Sequence, residues 1–84
     1  MNYRLLISIE VVEFIERLPS RNRKALRNVI DGIGRDPMGR SDAEDYDDIG
    51  RRLEIAIAGD FAFTYWIDDA DRQVKILDIH SADR

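Results

Sequence analysis

The chain has 84 residues, of which 44% are hydrophobic and 36% charged, and it carries a net charge of −4 and no cysteine. This length predicts one domain, residues 1–84, with a single modest core, and the missing cysteines exclude disulfides, thiolate metal sites and a cysteine nucleophile. An acidic total disfavours non-specific binding to nucleic acid, which depends on neutralising phosphates.

The first predicted element is a strand over Tyr3–Ile9, in which Leu6 interrupts the polar face. An apolar residue on the second face is typical of a central strand that is covered on both sides. Glu10 and Glu13 interrupt the N-terminal apolar region, so we expect no signal peptide, and no apolar run approaches the ~20 residues of a membrane span. These features favour a soluble protein in the cytoplasm.

Two amphipathic helices follow. The first runs from Ser8 or Ile9 to Leu18, with Ser8 as its N-cap and Pro19 as its stop. The second, predicted over Arg21–Gly34, has Ser20 as N-cap and Gly34 as C-cap. Apolar residues recur at helical spacing in both: Val11, Phe14, Ile15 and Leu18, then Leu26, Val29, Ile30 and Ile33. The short link predicts an antiparallel helical hairpin that buries both stripes against a sheet.

Charge is unevenly placed along the chain. Residues 17–40 hold seven basic and two acidic residues, whereas twelve acidic and five basic residues follow Ser41. The basic helix face favours a solvated surface over a nucleic-acid patch. Residues 36–50 are predicted to form a loop, and its acidic run lacks the spacing and central glycine of a calcium loop. We therefore expect no metal and no cofactor.

The stretch Arg51–Asp69 predicts a β-hairpin that turns at Ala58-Gly59-Asp60. Its first strand alternates apolar Leu53, Ile55 and Ile57 with Arg52, Glu54 and Ala56. Its second strand places Phe61, Phe63, Tyr65 and Ile67 on one face, with Ala62, Thr64, Trp66 and Asp68 on the other. A last strand is predicted over Gln73–His80, with Val74, Ile76, Asp78 and His80 on one face. The order β-α-α-β-β-β indicates an α+β fold, a helical hairpin on a twisted antiparallel sheet.

Several segments in this order resemble the RelE/ParE superfamily of toxins from bacterial type II toxin–antitoxin systems. They are the opening YRLLIS, a helix ending in ERLPS, a second helix running to RDP, and IGRRLEIAIAGDFAFTYWIDDADRQVKILDI. The resemblance covers about residues 3–80, and its most specific part is the pattern Gly59, Asp60, Phe61 and Tyr65. It implies a toxin that a cognate antitoxin binds and neutralises. It also implies one of two targets, mRNA on the ribosome for RelE-like members or DNA gyrase for ParE-like members.

The same resemblance defines candidate site residues. In the active ribonucleases an arginine usually follows the aromatic residue of the motif, and Ala62 stands there in this chain. The groups that remain for catalysis are Arg51, Arg52, His80 and Arg84. Arginine suits phosphate, and histidine suits acid–base transfer. The competing reading pairs Arg51 and Arg52 with the acidic run before them and leaves His80 as a surface residue. Trp66 either packs under the helices or forms an exposed contact for a partner.

Three functions follow from these residues. The first is a toxin with a degenerate ribonuclease site, indicated by Ala62 and the acidic balance. The second is an active ribosome-dependent mRNA endoribonuclease that uses Arg51, Arg52, His80 and Arg84. The third is a non-toxic interaction module, for which a homodimer is the expected form.

Overall fold

The computed structural model describes residues 2–82, which form two helices and five strands. In chain order the elements are β1 (Arg4–Ile7), α1 (Ile9–Glu16), α2 (Ser20–Arg35), β2 (Ala43–Tyr46), β3 (Arg52–Ala58), β4 (Phe61–Asp68) and β5 (Gln73–Ser81). The α+β class and the helical hairpin on a sheet are confirmed. Within this part of the chain, neither helix combines the length and apolar character that a membrane span requires.

The helix ends differ partly from the prediction. Ser8 caps α1 as expected, since its Oγ accepts from the N–H of Glu10 at 3.2 Å. Ser20 is not the cap of α2; it is the first helical residue, and Pro19 stands before it without a side-chain cap. Gly34 is not a C-cap either. It lies buried inside α2, where an added Cβ would stand 3.1 Å from a Leu5 methyl, so this glycine allows β1 to pack closely.

The sheet is mixed, whereas an antiparallel sheet was expected. Its strand order is β1-β5-β4-β3-β2. Strands β3, β4 and β5 form an antiparallel meander. β1 pairs in parallel with the outer side of β5, with Leu5 opposite Val74 and Ile7 opposite Ile76. The first strand is therefore an edge strand and not a central one. Leu6 pairs with Lys75, so its side chain lies on the face away from the helices, and it is 41% exposed.

The stretch predicted as a loop contains the short strand β2. All four of its residues are exposed, and it pairs antiparallel with the outer side of β3, with Tyr46 opposite Arg52. A turn lies on each side of β3, and each contains a glycine with positive φ: Gly50 at 83° and Gly59 at 60°. Glycine adopts this backbone conformation without the steric cost that other residues incur. The hairpin predicted over residues 51–69 is thereby extended by one strand.

Both helices cover one face of the sheet, and the core lies between them. It is built from Val11, Ile15, Leu26, Ile30, Ile33, Ala56, Phe63, Tyr65, Val74, Ile76 and Ile79. The face of β3 that packs under the helices is the one with Glu54, Ala56 and Ala58, because Ala56 pairs with Phe63 and leaves room for its ring. The apolar residues Leu53, Ile55 and Ile57 face away from the helices; Leu53 is nevertheless buried, Ile55 is half-buried and Ile57 is 43% exposed.

A β-bulge also changes the faces of β5. Thr64 pairs with Asp78 and Tyr65 with Ile76, so that Leu77 is the extra residue. Beyond the bulge the alternation shifts by one: Ile79 joins Val74 and Ile76 in the core, while Asp78 and His80 point away from it. Grouping Asp78 and His80 with Val74 and Ile76, as strict alternation predicted, is therefore wrong.

Asp42 closes the open end of β2 against β3. Its Oδ2 accepts from the N–H of Ile57 at 2.7 Å and from Nη1 of Arg40 at 2.9 Å, and Nη2 of Arg40 donates to the Ile57 carbonyl. The Ile57 N–H, followed by Arg40, holds the pKa of Asp42 below its ordinary value of 3.8. The stability that Asp42 contributes is therefore present above this value and is lost as the pH falls through the lowered pKa.

We expect Asp42→Asn to lower the urea midpoint at pH 7 and to lose this difference from the parent chain as the pH falls below 3.8. Urea unfolding followed by circular dichroism between pH 2 and 7 measures both midpoints. The exposed Asp48 supplies the control Asp48→Asn, in the same acidic segment. A difference that persists unchanged in acid would show that Asp42 acts through its shape and not through its charge.

Candidate functional site

The sheet face opposite the helices, called here the open face, carries the candidate site. Side chains from three strands and the residue before β3 meet there: Arg51, Leu53, Ile55 and Ile57, then Ala62, Thr64 and Trp66, then Lys75, Asp78 and His80. The row along β3 is apolar and the charged groups lie around it. Ile57 is 43% exposed near its centre, next to Ala62.

Trp66 lies on this open face between two cations, so the reading that packs it under the helices is wrong. The guanidinium carbon of Arg51 stands 4.4 Å from the indole centroid, and Nζ of Lys75 stands 4.6 Å from it. Each contact is a cation–π interaction. Trp66 thus holds two positive charges at one end of the open face.

Arg51 is also paired with a carboxylate. Its Nε donates to Oδ2 of Asp47 at 2.9 Å, across the turn that joins β2 to β3. The N–H groups of Arg51 and Ile49 also donate to the Asp47 carboxylate. The Arg51 N–H is the main cause that lowers the pKa of Asp47 below its ordinary value of 3.8. The charge of Arg51 is largely compensated.

Arg52 points to the helix side of the sheet. Its Nε donates to Oε2 of Glu54 at 2.7 Å, and its Nη2 lies 3.1 Å from Oε1 of Glu44. The hydrogen bond to Glu54, whose side chain is 4% exposed, raises the pKa of the Arg52 guanidinium. The prediction that both arginines pair with acidic residues before them is confirmed by Asp47 and Glu44, with Glu54 as a further partner.

His80 lies at the opposite end of the open face from Arg51. Its Nδ1 is 3.4 Å from Oδ2 of Asp78, and both side chains are more than half exposed. Ala62 pairs with Ile57 on one side and with His80 on the other. Arg52 precedes Ile57 by five residues, so it lies about 17 Å away along the strand direction.

The structure thus brings two of the four candidate residues together and separates the third from them. Arg51 and Arg52 are neighbours on opposite sides of the sheet, His80 stands at the far end, and Arg84 lies outside the described residues. Over residues 2–82 no three His, Asp or Glu side chains converge as a metal ion would require.

No protein-family model and no curated protein matches this chain, but solved structures do. The archaeal RelE–RelB complex from Pyrococcus horikoshii OT3 superposes with a TM-score of 0.84 at 25% identity, over 100% of this chain and 99% of that one. The toxin–antitoxin complex RelBE2 from Mycobacterium tuberculosis gives 0.82 at 20% identity, over 100% and 95%. The chain has a RelE-like toxin fold. An arginine-to-alanine double mutant of E. coli toxin RelE in the free state gives 0.72 at 16% identity, over 99% and 86%.

Within the RelE-like fold, Ala62 lies on the open face as predicted. Its methyl group is 3% exposed because Ile57 and His80 flank it on the neighbouring strands. Sequence reasoning missed Lys75 and the buried Glu54. Nothing in the sequence indicated a role for Lys75, since its contact with Trp66 depends on the register between β4 and β5. The sequence did indicate the pairing of Glu54 with Arg52, because residues two apart in a strand lie on the same side.

Proposed function

We propose that this protein is the toxin component of a type II toxin–antitoxin pair, that a cognate antitoxin binds and neutralises it in the cytoplasm, and that its ribonuclease site is degenerate. Full-length superposition on two toxins that were solved in complex with their antitoxins supports the first part. The degenerate ribonuclease site has its own support, which comes from the charges around the open face.

One observation carries the degenerate site: both candidate arginines that the structure describes, Arg51 and Arg52, already have carboxylate partners. Cleavage of a phosphodiester develops negative charge on the phosphorane, and arginine stabilises it only when its donors are free to reach the phosphate. Arg51 is bonded to Asp47, and Arg52 to Glu54 on the helix side. The centre of the open face presents Ile57, Ala62 and Thr64 instead.

The test is expression of the chain without an antitoxin, followed by primer extension on translated messages. We expect no codon-phased cuts, whereas E. coli RelE expressed in the same way supplies the positive control. Codon-phased cuts by this chain would contradict the degenerate site. Growth arrest without cuts directs the search to a protein target, and inhibition of supercoiling by purified gyrase then tests the ParE-like alternative.

A second candidate function is ribosome-dependent cleavage of mRNA by Arg51, Arg52, His80 and Arg84. The contact of His80 Nδ1 with Asp78 favours it, because a carboxylate at one ring nitrogen orients the imidazole and leaves Nε2 toward solvent. We expect Arg52→Ala and His80→Ala to leave any growth arrest unchanged. Relief of arrest by either variant, at equal protein level, would support this second function over the first.

A non-toxic interaction module is the remaining reading. A chain that leaves growth unchanged in the absence of any antitoxin, and that has a dimeric mass in solution, would support it against both proposals.

A further inference from the structure

An apolar band crosses the open face, and no helix packs on that side of the sheet within residues 2–82. Leu6, Leu77 and Ile57 lie in it, and each of these large side chains is between 40% and 43% exposed. Leu77 lies on this face because of the bulge, since Ile76 and Ile79 are buried in the core and the two residues between them are exposed.

The band runs diagonally across four strands. It begins at Leu6 in β1, passes Leu77 in β5 and Ala62 in β4, and ends at Ile55 and Ile57 in β3. These five residues are called here the apolar band. Its middle is low, because Ala62 is small and lies between larger side chains on the neighbouring strands. A facing surface with apolar side chains can therefore pack into it.

Charges of opposite sign flank the apolar band on β5. Lys75 precedes Leu77 and lies over Trp66, and no carboxylate pairs with it within residues 2–82. Asp78 follows Leu77, and its partner His80, at 3.4 Å, is charged only when protonated. In the part of the chain that the structure describes, neither Lys75 nor Asp78 has a permanent countercharge.

This arrangement favours a protein partner over a nucleic acid. Binding to a nucleic acid depends on neutralising phosphates, whereas the open face carries an exposed carboxylate and an apolar centre, and the whole chain has a charge of −4. An apolar centre with charged groups at its rim is typical of protein–protein interfaces.

The opposite signs on the two sides of the band make the open face complementary to itself. In a two-fold dimer the same patch of both copies meets, and each contact occurs twice. A two-fold axis along the apolar band places Lys75 of each copy opposite Asp78 of the other, while the two bands face each other. We infer that the open face is the interface of a homodimer, in which two sheets pack face to face through the apolar band. This inference goes beyond the proposed function and does not depend on it, since it concerns the chain alone.

The open face is large enough for this role. A stable interface buries roughly 800 Å² per partner, which is about one seventh of the 5486 Å² surface of this chain. The chain measures 35 × 29 × 22 Å, so one of its broad sides can supply such an area. A dimer of this form also covers Ala62 and His80, so RNA binding at that place and dimerisation exclude each other.

Sedimentation equilibrium of the full chain over a concentration series measures the dimer. We expect twice the mass of one chain at high concentration. Ile57→Lys is expected to weaken dimerisation by about tenfold or more, because each dimer then buries two ammonium groups. Ile7→Lys is the matched control, since Ile7 is a strand isoleucine of similar exposure that lines a groove on the helix side. It is expected to leave dimerisation nearly unchanged, and circular dichroism checks that each variant folds.

A charge exchange tests the two-fold arrangement itself. Lys75→Glu and Asp78→Lys are each expected to weaken self-association, because like charges then face each other at two places. An equimolar mixture of the two variants is expected to associate again, since every flanking contact in the mixed dimer then joins opposite charges. Mixing does not relieve an effect that either substitution has on the fold of its own chain.

Trp66 provides a measurement that needs no substitution. It is the single tryptophan of the chain, and it lies on the open face beside Lys75. Quenching of its fluorescence by acrylamide is expected to fall as the concentration of the chain rises through the range in which the dimer forms.

Three results would overturn the inference. The first is the mass of one chain at every concentration at which the protein stays soluble. The second is a dimer that Ile57→Lys leaves intact, or whose formation leaves the quenching of Trp66 unchanged, because its interface then lies elsewhere. The third is a mixture of the two charge variants that fails to associate. None of these results bears on the toxin proposal, which growth arrest and antitoxin binding decide.

Discussion

Replacing Phe63 by alanine is expected to lower the free energy of unfolding by about 3–5 kcal/mol. The Phe63 ring is fully buried, lies between Ala56 and Ile79 on the neighbouring strands, and faces the helices. Alanine at this position leaves a cavity that the small Ala56 side chain cannot fill. At roughly 0.05–0.15 kcal/mol per residue, a chain of 84 residues has a total stability of about 4–13 kcal/mol. The variant is therefore expected to unfold at a clearly lower urea concentration than the parent chain, and to be largely unfolded if the parent's stability lies at the low end of this range.

Phe61→Ala is the matched control for this prediction. Phe61 lies on the same strand and the same face but is only half-buried, and it contacts Phe14 edge-to-face with ring centroids 5.7 Å apart. Urea unfolding followed by circular dichroism measures both variants. An equal or larger loss for Phe61→Ala would show that the centre of the core lies nearer to the hairpin turn than the burial of Phe63 indicates.

The helices and most of the core were predictable because their signals are local. Val11, Ile15, Leu26, Ile30 and Ile33 recur at helical spacing, and all five are buried as expected. The caps were less predictable. A glycine near a helix end usually marks a C-cap, but Gly34 is used for close packing against Leu5, and only the position of β1 reveals this.

The sheet was predicted less well because its details depend on pairing between distant residues. Strict alternation grouped His80 with Val74 and Ile76, and the bulge at Leu77, which has no local signal, reverses this grouping. β2 was missed since four exposed residues, three of them polar or charged, give no period-two pattern. β3 has apolar residues at alternate positions, yet its alanine side packs under the helices because Ala56 lies opposite Phe63.

The candidate site shows the same division. The pairing of Arg51 with Asp47 follows from a short spacing across a turn, and the sequence predicted it. The contact of Trp66 with Lys75 joins neighbouring strands whose register the bulge sets, so it needed the structure. The wide separation of Arg52 from His80 was likewise invisible in the sequence, because it depends on where β3 and β5 begin relative to β4.

Glu54→Lys is the second substitution with a large expected effect, a loss of at least about 3 kcal/mol. The Glu54 carboxylate is buried on the helix side, where it accepts from Ser41 Oγ at 2.6 Å and from Arg52 Nε at 2.7 Å. A lysine there buries an ammonium beside the Arg52 guanidinium, so that two like charges share a buried site without the carboxylate that compensates Arg52. Glu54→Gln is the matched control, since its carbonyl still accepts from Arg52 while its amide donates to Ser41 Oγ. Urea midpoints at pH 7 compare the two, and equal losses would show that shape, not charge, governs this position.

The glutamine variant also tests what Arg52 does. Neutralising Glu54 removes the closest countercharge of Arg52 without changing the shape of the core. If Arg52 could take part in cleavage and were inactive only because Glu54 binds its guanidinium, Glu54→Gln would produce cuts in translated messages. We expect none, because Arg52 stands on the helix side of the sheet, about 17 Å along the strand direction from His80. Primer extension on the folded variant measures the result, and cuts that disappear again on adding Arg52→Ala would assign catalysis to this arginine.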